Sequence, residues 1–370
     1  MTELEKSADS RGGRWIYLDV CRVFTIYLVV LLHVVATQWH VDPIGSTDWT
    51  ILSVYFSVPR VAIPVFFMMS GAIFLGPERV VPLRTLYGKY ILRFVVALLF
   101  WSTLYHLIVV YAWNGESAWE GFYFRRLLSQ VLGGHPYQHW FLFAIIAMYM
   151  LMPLLKCIAK DKTATRYFLV LWLLWELGLF NINLLYTFFP NMNPIVAGWI
   201  GEVVDMANRI PPRMVLGLHG YMVLGYYLHA YPPGDRARRI WQAAGVAGTV
   251  FTVVATYHLS VRENTRMETL YSLNSLAIAA GAVAFFITAR SLFPGRTERR
   301  SGLLVTLGAY SFGIYLVHDF FLIYLRDKGF TPGLFPRVIS PIVVSVAVYF
   351  LSVIAVHIIR KIPVVRDYIT

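Results

Sequence analysis

An arginine and a histidine stand eleven residues apart in the first long apolar segment of the chain. Arg22 and His33 lie in residues 16–38, where almost every other side chain is aliphatic or aromatic. Eleven residues make about three helical turns, about 16 Å along the axis, so both side chains project from nearly the same face. Ionisable residues are costly inside a membrane and mark functional positions. The pair predicts an anion contact at Arg22 and a general base at His33.

Each member of this pair also has a structural interpretation. Asp19 precedes Arg22 by three residues, so the two can pair on one helix face while guanidinium donors remain for an anion. His33 could instead be a histidine that is hydrogen-bonded between two helices. The sequence leaves both interpretations of His33 open.

A second intramembrane arginine follows in the next apolar segment. Arg60 lies between Pro59 and Pro64, at a depth similar to that of His33, and the Ser70-Gly71 pair comes later in the same segment. Arg60 could orient a substrate or stabilise developing negative charge, or its side chain could extend to the membrane surface. The prolines and the Ser-Gly pair predict a kink or close helix packing.

Other candidates are spread along the chain. Lys89 and Arg93 are one helical turn apart and suit phosphate groups, although basic residues at a membrane surface also bind lipid headgroups. His318 lies in the outer half of a late apolar segment, and adjacent Asp319 would not face it on a helix. The candidates for substrate binding are His139, Trp140 and Glu176.

The elements that position these residues are membrane helices. Hydrophobic residues make up 58% of the 370, charged residues 14%, and apolar runs long enough to cross a bilayer recur from end to end. Their length predicts an all-α integral membrane protein, a bundle of about ten transmembrane helices, and excludes a β-barrel. The predicted spans are residues 16–38, 51–75, 90–112, 140–158, 167–189, 213–231, 241–259, 270–290, 303–325 and 339–359.

The net charge of +12 follows membrane topology rather than a nucleic-acid partner. Of the 32 Lys and Arg residues, 21 fall on one side of the ten spans and nine on the other. The positive-inside rule therefore predicts that both termini are cytoplasmic. We expect a disordered tail over residues 1–13, a single membrane domain over 14–370, and a first span that is retained rather than cleaved. The connection at 190–212, with four prolines, is predicted to be a polar loop that either binds sugar or is simply solvated.

Four motifs in this order resemble the membrane acyltransferase-3 family over residues 14–360. They are Arg22-x10-His33, Arg60 followed by PVFFMMSG, the HWFL run from His139, and LGAYSFGIYLVH ending at His318. The family comprises bacterial membrane enzymes that O-acylate cell-surface carbohydrates. The chain is similar to the stand-alone kind that acetylates surface glycans.

The resemblance implies a site and its partners. It implies His33 as catalytic base, Arg60 or His318 as oxyanion stabiliser, and acetyl-CoA as acyl donor, held by Lys89, Arg93 and Arg22. The Gly88-Lys89 sequence departs from the denser arginine cluster of the family. The acceptor would be a carbohydrate or lipid-linked glycan, in the bacterial inner membrane and among its lipids, with no metal and no nucleic acid. An acyl-enzyme on Ser70 or Ser311 stays open.

A transporter or exporter of a glycan or organic anion is the rival class. In that case Arg22, Arg60, Glu176 and the histidines would line a permeation path. A transporter would move its substrate without consuming acyl-CoA.

Overall fold

The computed structural model describes residues 13–108, 137–209, 217–297, 302–363 and 368–369, so the predicted tail lies almost entirely outside the described residues. The predicted all-α membrane fold is confirmed. The described chain forms eleven helices: α1 (Ile16–Trp39), α2 (Thr47–Phe74), α3 (Leu83–Leu107), α4 (Trp140–Ala159), α5 (Lys162–Phe188), α6 (Pro194–Arg209), α7 (His219–Ala230), α8 (Asp235–Glu263), α9 (Thr269–Leu292), α10 (Leu303–Asp327) and α11 (Ser340–Ile359).

Nine of these helices, counted over the described ranges, are long and apolar enough to cross a membrane. They correspond to nine of the ten predicted spans. The remaining predicted span, 213–231, begins in residues outside the described ranges, and its described part is α7, with twelve residues.

The expectation of a loop at 190–212 was wrong over most of its length, because residues 194–209 form α6. That expectation rested on the four prolines of this connection, since proline disrupts a helix interior. Pro194, however, occupies the first helical position, where a proline is well tolerated, and the side chain of Asn193 accepts a hydrogen bond from the Ile195 backbone N–H at 2.9 Å. The Asn-Pro pair is therefore a helix start.

Loop contacts define two faces of the bundle. At the terminal face, where α1 begins and α11 ends, strand β1 (Arg14–Trp15) pairs antiparallel with β2 (Arg296–Thr297). At the distal face, where α1 ends, Arg337 forms an ion pair with Asp42 at 2.9 Å, and Arg266 donates to the backbone carbonyl of Trp39. The connections therefore fix the two ends of α1 separately.

Close packing of α2 against α7 confirms the prediction made from the Ser-Gly pair. A Cβ atom at Gly71 would overlap the Met222 carbonyl, and one at Gly225 would overlap the Met68 backbone. Glycine therefore allows the two helix backbones to touch, as small residues do in membrane helix pairs. A 3-10 turn, Val58–Val61, interrupts α2, with Pro59 at its second position. That turn carries Arg60 toward the interior.

Candidate active site

A cavity of about 610 Å³ lies in the distal half of the bundle, between α1, α2, α4, α9 and α10. Aromatic and aliphatic side chains form most of its wall. The carboxylate, amide, imidazole and guanidinium side chains in its lining are His33, His40, Arg60, Gln138, Glu268, Asp319 and Arg326. An apolar cavity with a few convergent polar groups is the usual form of a small-molecule site.

His33 and His318 form a pair at the inner part of this cavity. The His33 Nδ1 and His318 Nε2 atoms are 2.7 Å apart, and the two rings stack with centroids separated by 4.9 Å. His318 is fully buried, whereas His33 is half-buried and lines the cavity. The interhelical hydrogen bond and the cavity position of His33 therefore occur together, although the sequence had offered them as alternatives.

The contacts of His318 fix how protons are arranged in the neutral pair. His318 Nδ1 lies 2.7 Å from the carbonyl oxygen of Tyr315 and 3.2 Å from that of Ile314, so this nitrogen carries the proton and donates. His318 Nε2 must then accept the proton of His33 Nδ1. By elimination, His33 Nε2 holds the basic lone pair, as a general base requires.

Arg60 faces the same cavity from α2. Its guanidinium stacks over the rings of Phe56 and Tyr271, at 4.1 and 4.4 Å from their centroids, and lies within electrostatic range of His33. Two cation–π contacts hold the guanidinium plane near the histidine pair. The side chain therefore stays within the bundle rather than extending to the membrane surface.

Asp319 and Gln138 add polar groups to the cavity wall. The side-chain amide of Gln138 lies beside the Asp319 carboxylate, and both residues are almost completely buried. The Tyr315 hydroxyl donates to the backbone carbonyl of Gln138 at 2.5 Å. His318 bonds to His33 rather than to neighbouring Asp319, as the helix spacing predicts. A carboxylate beside an amide can hold hydroxyl groups of a polar ligand.

The other predicted residues divide into those that reach the cavity and those that do not. Trp140 lines it. His139 is fully buried, with its Nδ1 2.9 Å from the Ser102 hydroxyl, and Glu176 accepts a hydrogen bond from Asn274 at 3.4 Å. Neither His139 nor Glu176 belongs to the cavity lining, so their assignment to substrate binding stays a prediction.

A second cluster surrounds the terminal end of α1. Asp19 is buried and accepts from Arg14 at 2.6 Å and from Arg22 at 3.2 Å, which confirms the predicted pairing within α1. Because Arg14 also neutralises Asp19, that carboxylate has two cationic partners. Donors of Arg22 can then face an anion.

Arginines from α1, α3 and the loop after α2 converge on Tyr149 of α4. The Tyr149 side chain lies within electrostatic range of Arg22, Arg79 and Arg93. Lys156, two helical turns further along α4 and within electrostatic range of Arg79, has a buried Nζ with no hydrogen-bond partner among the described residues. The terminal face therefore presents converging cations.

The sequence-predicted pair of Lys89 and Arg93 is placed in part of this cluster. Arg93 lies over the Phe312 ring, 5.1 Å from its centroid, while Lys89 is half-exposed in a π-helical turn, Leu86–Ile91. Arg79 and Lys156 had been counted only among the 21 Lys and Arg residues on one side of the spans. Their neighbours are distant in sequence, so local spacing gave no signal for them.

A column of aromatic side chains lies between the distal cavity and the terminal cluster. Each ring of the column contacts the next one in space, and the ring centroids of neighbours are 5.3 to 6.5 Å apart. From the terminal face to the cavity, the members are Tyr149, Phe94, Phe312, Tyr315 and Phe141. Tyr315 and Phe141 also line the cavity. The column joins the two regions by a continuous, packed aromatic path.

Together the bundle, the histidine-bearing cavity and the basic cluster define a polytopic membrane protein with separate sites toward its two faces. The acyltransferase-3 family model, described as an acyltransferase domain, matches residues 15–361. The chain belongs to this family and is a membrane acyltransferase. Neither a curated protein nor a solved structure matches the chain.

Proposed function

We propose that the protein is an O-acyltransferase that moves an acetyl group from acetyl-CoA, bound at the terminal face, to a hydroxyl of a carbohydrate in the distal cavity. The observation that carries the proposal is the histidine pair, because its hydrogen bonds leave the basic lone pair on the cavity-lining His33. The terminal face would be cytoplasmic, as the distribution of Lys and Arg predicts.

The acyl donor fits the terminal cluster by charge. Arg22, Arg79 and Arg93 would contact the phosphates of CoA, since guanidinium groups bind phosphate by paired hydrogen bonds. The buried ammonium of Lys156 would supply a further donor. Lys89, half-exposed nearby, would contribute long-range attraction rather than a buried contact.

The transfer step uses the cavity residues. His33 Nε2 removes the proton of the acceptor hydroxyl as its oxygen attacks the thioester carbonyl, and the CoA thiolate leaves as the ester forms. The proton then passes to the thiolate, so the products are the acetyl ester and CoA. Arg60 stabilises the oxyanion of the tetrahedral intermediate, and His318 holds the His33 imidazole in the reactive tautomer.

A carbohydrate acceptor is supported by the rest of the cavity wall. The Asp319 carboxylate and the Gln138 amide suit hydroxyl groups, and Trp140 offers an aromatic surface, 42% exposed, for a sugar ring. A lipid-linked glycan would be one form of such an acceptor.

Transfer of label from radiolabelled acetyl-CoA tests the proposal in membranes that retain their native glycans. Wild type should label the glycan or lipid fraction, and His33→Ala should lose at least about 100-fold, the range of general base catalysis. His258→Ala is the matched control, because His258 is an exposed histidine of α8 outside the cavity lining.

The outcomes separate the rival functions. No transfer by wild type would refute acetyl transfer, and uptake or export of a glycan without acyl-CoA consumption would favour the transporter. Transfer that survives His33→Ala would leave the acyltransferase in place and exclude His33 as its base.

A further inference from the structure

The helix α6 carries a large apolar surface that the rest of the described chain does not cover. Ile195, Val196, Trp199, Val203 and Met206 are between 45% and 73% exposed, with Trp199 the most exposed. These side chains belong to a helix of 16 residues, which is too short to be one of the nine spans. Their exposure therefore differs from that of lipid-facing residues on a transmembrane helix.

Three separate faces run along α6. At about 100° per residue, Ile195, Trp199 and Met206 fall within about 40° of each other and mark the middle of the apolar face. Glu202, Asp205 and Arg209 occupy a neighbouring arc of about 60°. The third face is buried against the protein.

The buried face fixes α6 at the distal end of α5. Val204 and Ala207 are each 7% exposed, and the Tyr186 hydroxyl of α5 donates to the Ala197 carbonyl at 2.6 Å. Only five residues, 189–193, join the two helices. The helix must therefore lie at the height where α5 leaves the apolar layer.

Polar contacts show that this height is the edge of that layer. Arg262, near the end of α8, donates to the Phe188 carbonyl at 3.3 Å and also to the Thr187 carbonyl, and it pairs with exposed Glu263. Exposed charges at the end of α8, in contact with the end of α5, mark the boundary between hydrocarbon and water. A tryptophan on an amphipathic helix is typical of that boundary.

We propose that α6 is an interfacial helix that lies in the plane of the membrane at the distal face. Its apolar face, centred on Trp199, would rest among the upper acyl chains of the lipid, and its charged face would contact water. A depression of about 380 Å³ lined by Glu202, Val203, Asp205, Met206 and Arg209 crosses from one face to the other. It lies where lipid headgroups would meet the helix.

Site-directed fluorescence on the full chain tests this placement. Cys21→Ala and Cys157→Ser remove the two native cysteines. Single cysteines are then introduced by Trp199→Cys and Met206→Cys on the apolar face, and by Gly198→Cys and Asp205→Cys on the charged side, where both residues are exposed. Each variant is labelled with an environment-sensitive fluorophore and reconstituted in phosphatidylcholine vesicles after a monodisperse elution profile confirms folding.

We expect labels on the two faces of α6 to be quenched by different agents. Labels at 199 and 206 should be quenched by spin-labelled lipids, more by shallow than by deep nitroxides, at a depth of about 5–10 Å below the headgroups. Labels at 198 and 205 should be quenched by aqueous iodide. Iodide quenching at 199 and 206 would overturn the proposal, and so would resistance to both quenchers, which would mean that protein covers this face.

Discussion

The distal cavity and the terminal cluster differ in the charges and the aromatic groups that their side chains bring together. The cavity mixes charges of both signs with two stacked imidazoles, and its arginine is held by the faces of two aromatic rings. The terminal cluster is mainly cationic, and its buried carboxylate, Asp19, is occupied by two arginines. Under the proposed function, this difference would separate proton transfer in the cavity from binding of the CoA phosphates at the terminal face.

Replacing His318 tests the role of the distal cavity and should have the largest effect on the rate of transfer. His318→Phe keeps an aromatic ring but removes the acceptor for His33 Nδ1–H, so kcat should fall by about 100-fold while the KM for acetyl-CoA stays unchanged. His318→Gln restores an acceptor oxygen and should recover much of the rate. Equal losses in both variants would show that the rate does not depend on a hydrogen-bond acceptor for His33 Nδ1–H.

Replacing Arg93 tests the role of the terminal cluster and should weaken the binding of acetyl-CoA. Loss of one charged hydrogen bond to a phosphate costs about 1.5–3 kcal/mol, so Arg93→Gln should raise the KM for acetyl-CoA at least about tenfold. The acceptor KM should not change. Arg84→Gln is the matched control, since Arg84 is exposed in the first turn of the same helix, α3. An acceptor defect in Arg93→Gln would contradict the assignment.

Removing a ring from the aromatic column should open a path for water between the terminal cluster and the distal cavity. Phe312→Ala removes the ring that lies between Phe94, Tyr315 and the Arg93 guanidinium. Water would then reach the thioester, and acetyl-CoA hydrolysis without acceptor should rise about tenfold, equivalent to about 1.4 kcal/mol in the barrier. Release of CoA thiol measures it. Phe350→Ala, at an exposed position of α11, should leave hydrolysis at the wild-type level.

The smallest expected effect is on stability and concerns Asp42 at the distal face. Burial acts to raise the pKa of Asp42, but hydrogen bonds from Arg337 and Gln38 outweigh it and hold the pKa below its ordinary value. This stabilisation is present above the unfolded-state pKa and is lost as pH falls through the folded-state pKa.

Acidification to about pH 3 should therefore lower the melting temperature of the wild type. Asp42→Asn should cost about 1–3 kcal/mol at neutral pH and lose that part of the acid sensitivity. Thermal unfolding in detergent across this pH range measures both effects. An acid response identical to that of the wild type would exclude Asp42 as its source.

Much of this comparison could be predicted from residue type and spacing. The apolar runs gave the spans, and the eleven-residue interval placed Arg22 and His33 toward opposite faces, since both lie on α1. The Asp19–Arg22 pair followed from helix geometry alone. Local periodicity determines these features, so no tertiary information was needed.

What the sequence left open depends on contacts between distant residues. His33 and His318 are 285 positions apart, so neither their hydrogen bond nor the tautomer that it selects has a local signal. Arg79 comes within electrostatic range of Tyr149 and of Lys156 only after the helices pack. The amphipathic period of α6 was present in the sequence, but the flanking prolines concealed it.

The contact between α2 and α7 also restricts how relatives of this chain can vary. Gly71 meets the Met222 backbone and Gly225 meets the Met68 backbone, so neither position can accept a side chain unless the helices separate. Separation would move the turn that carries Arg60. Over evolutionary time, these two positions should therefore remain glycine or change together, even though neither touches the reacting groups.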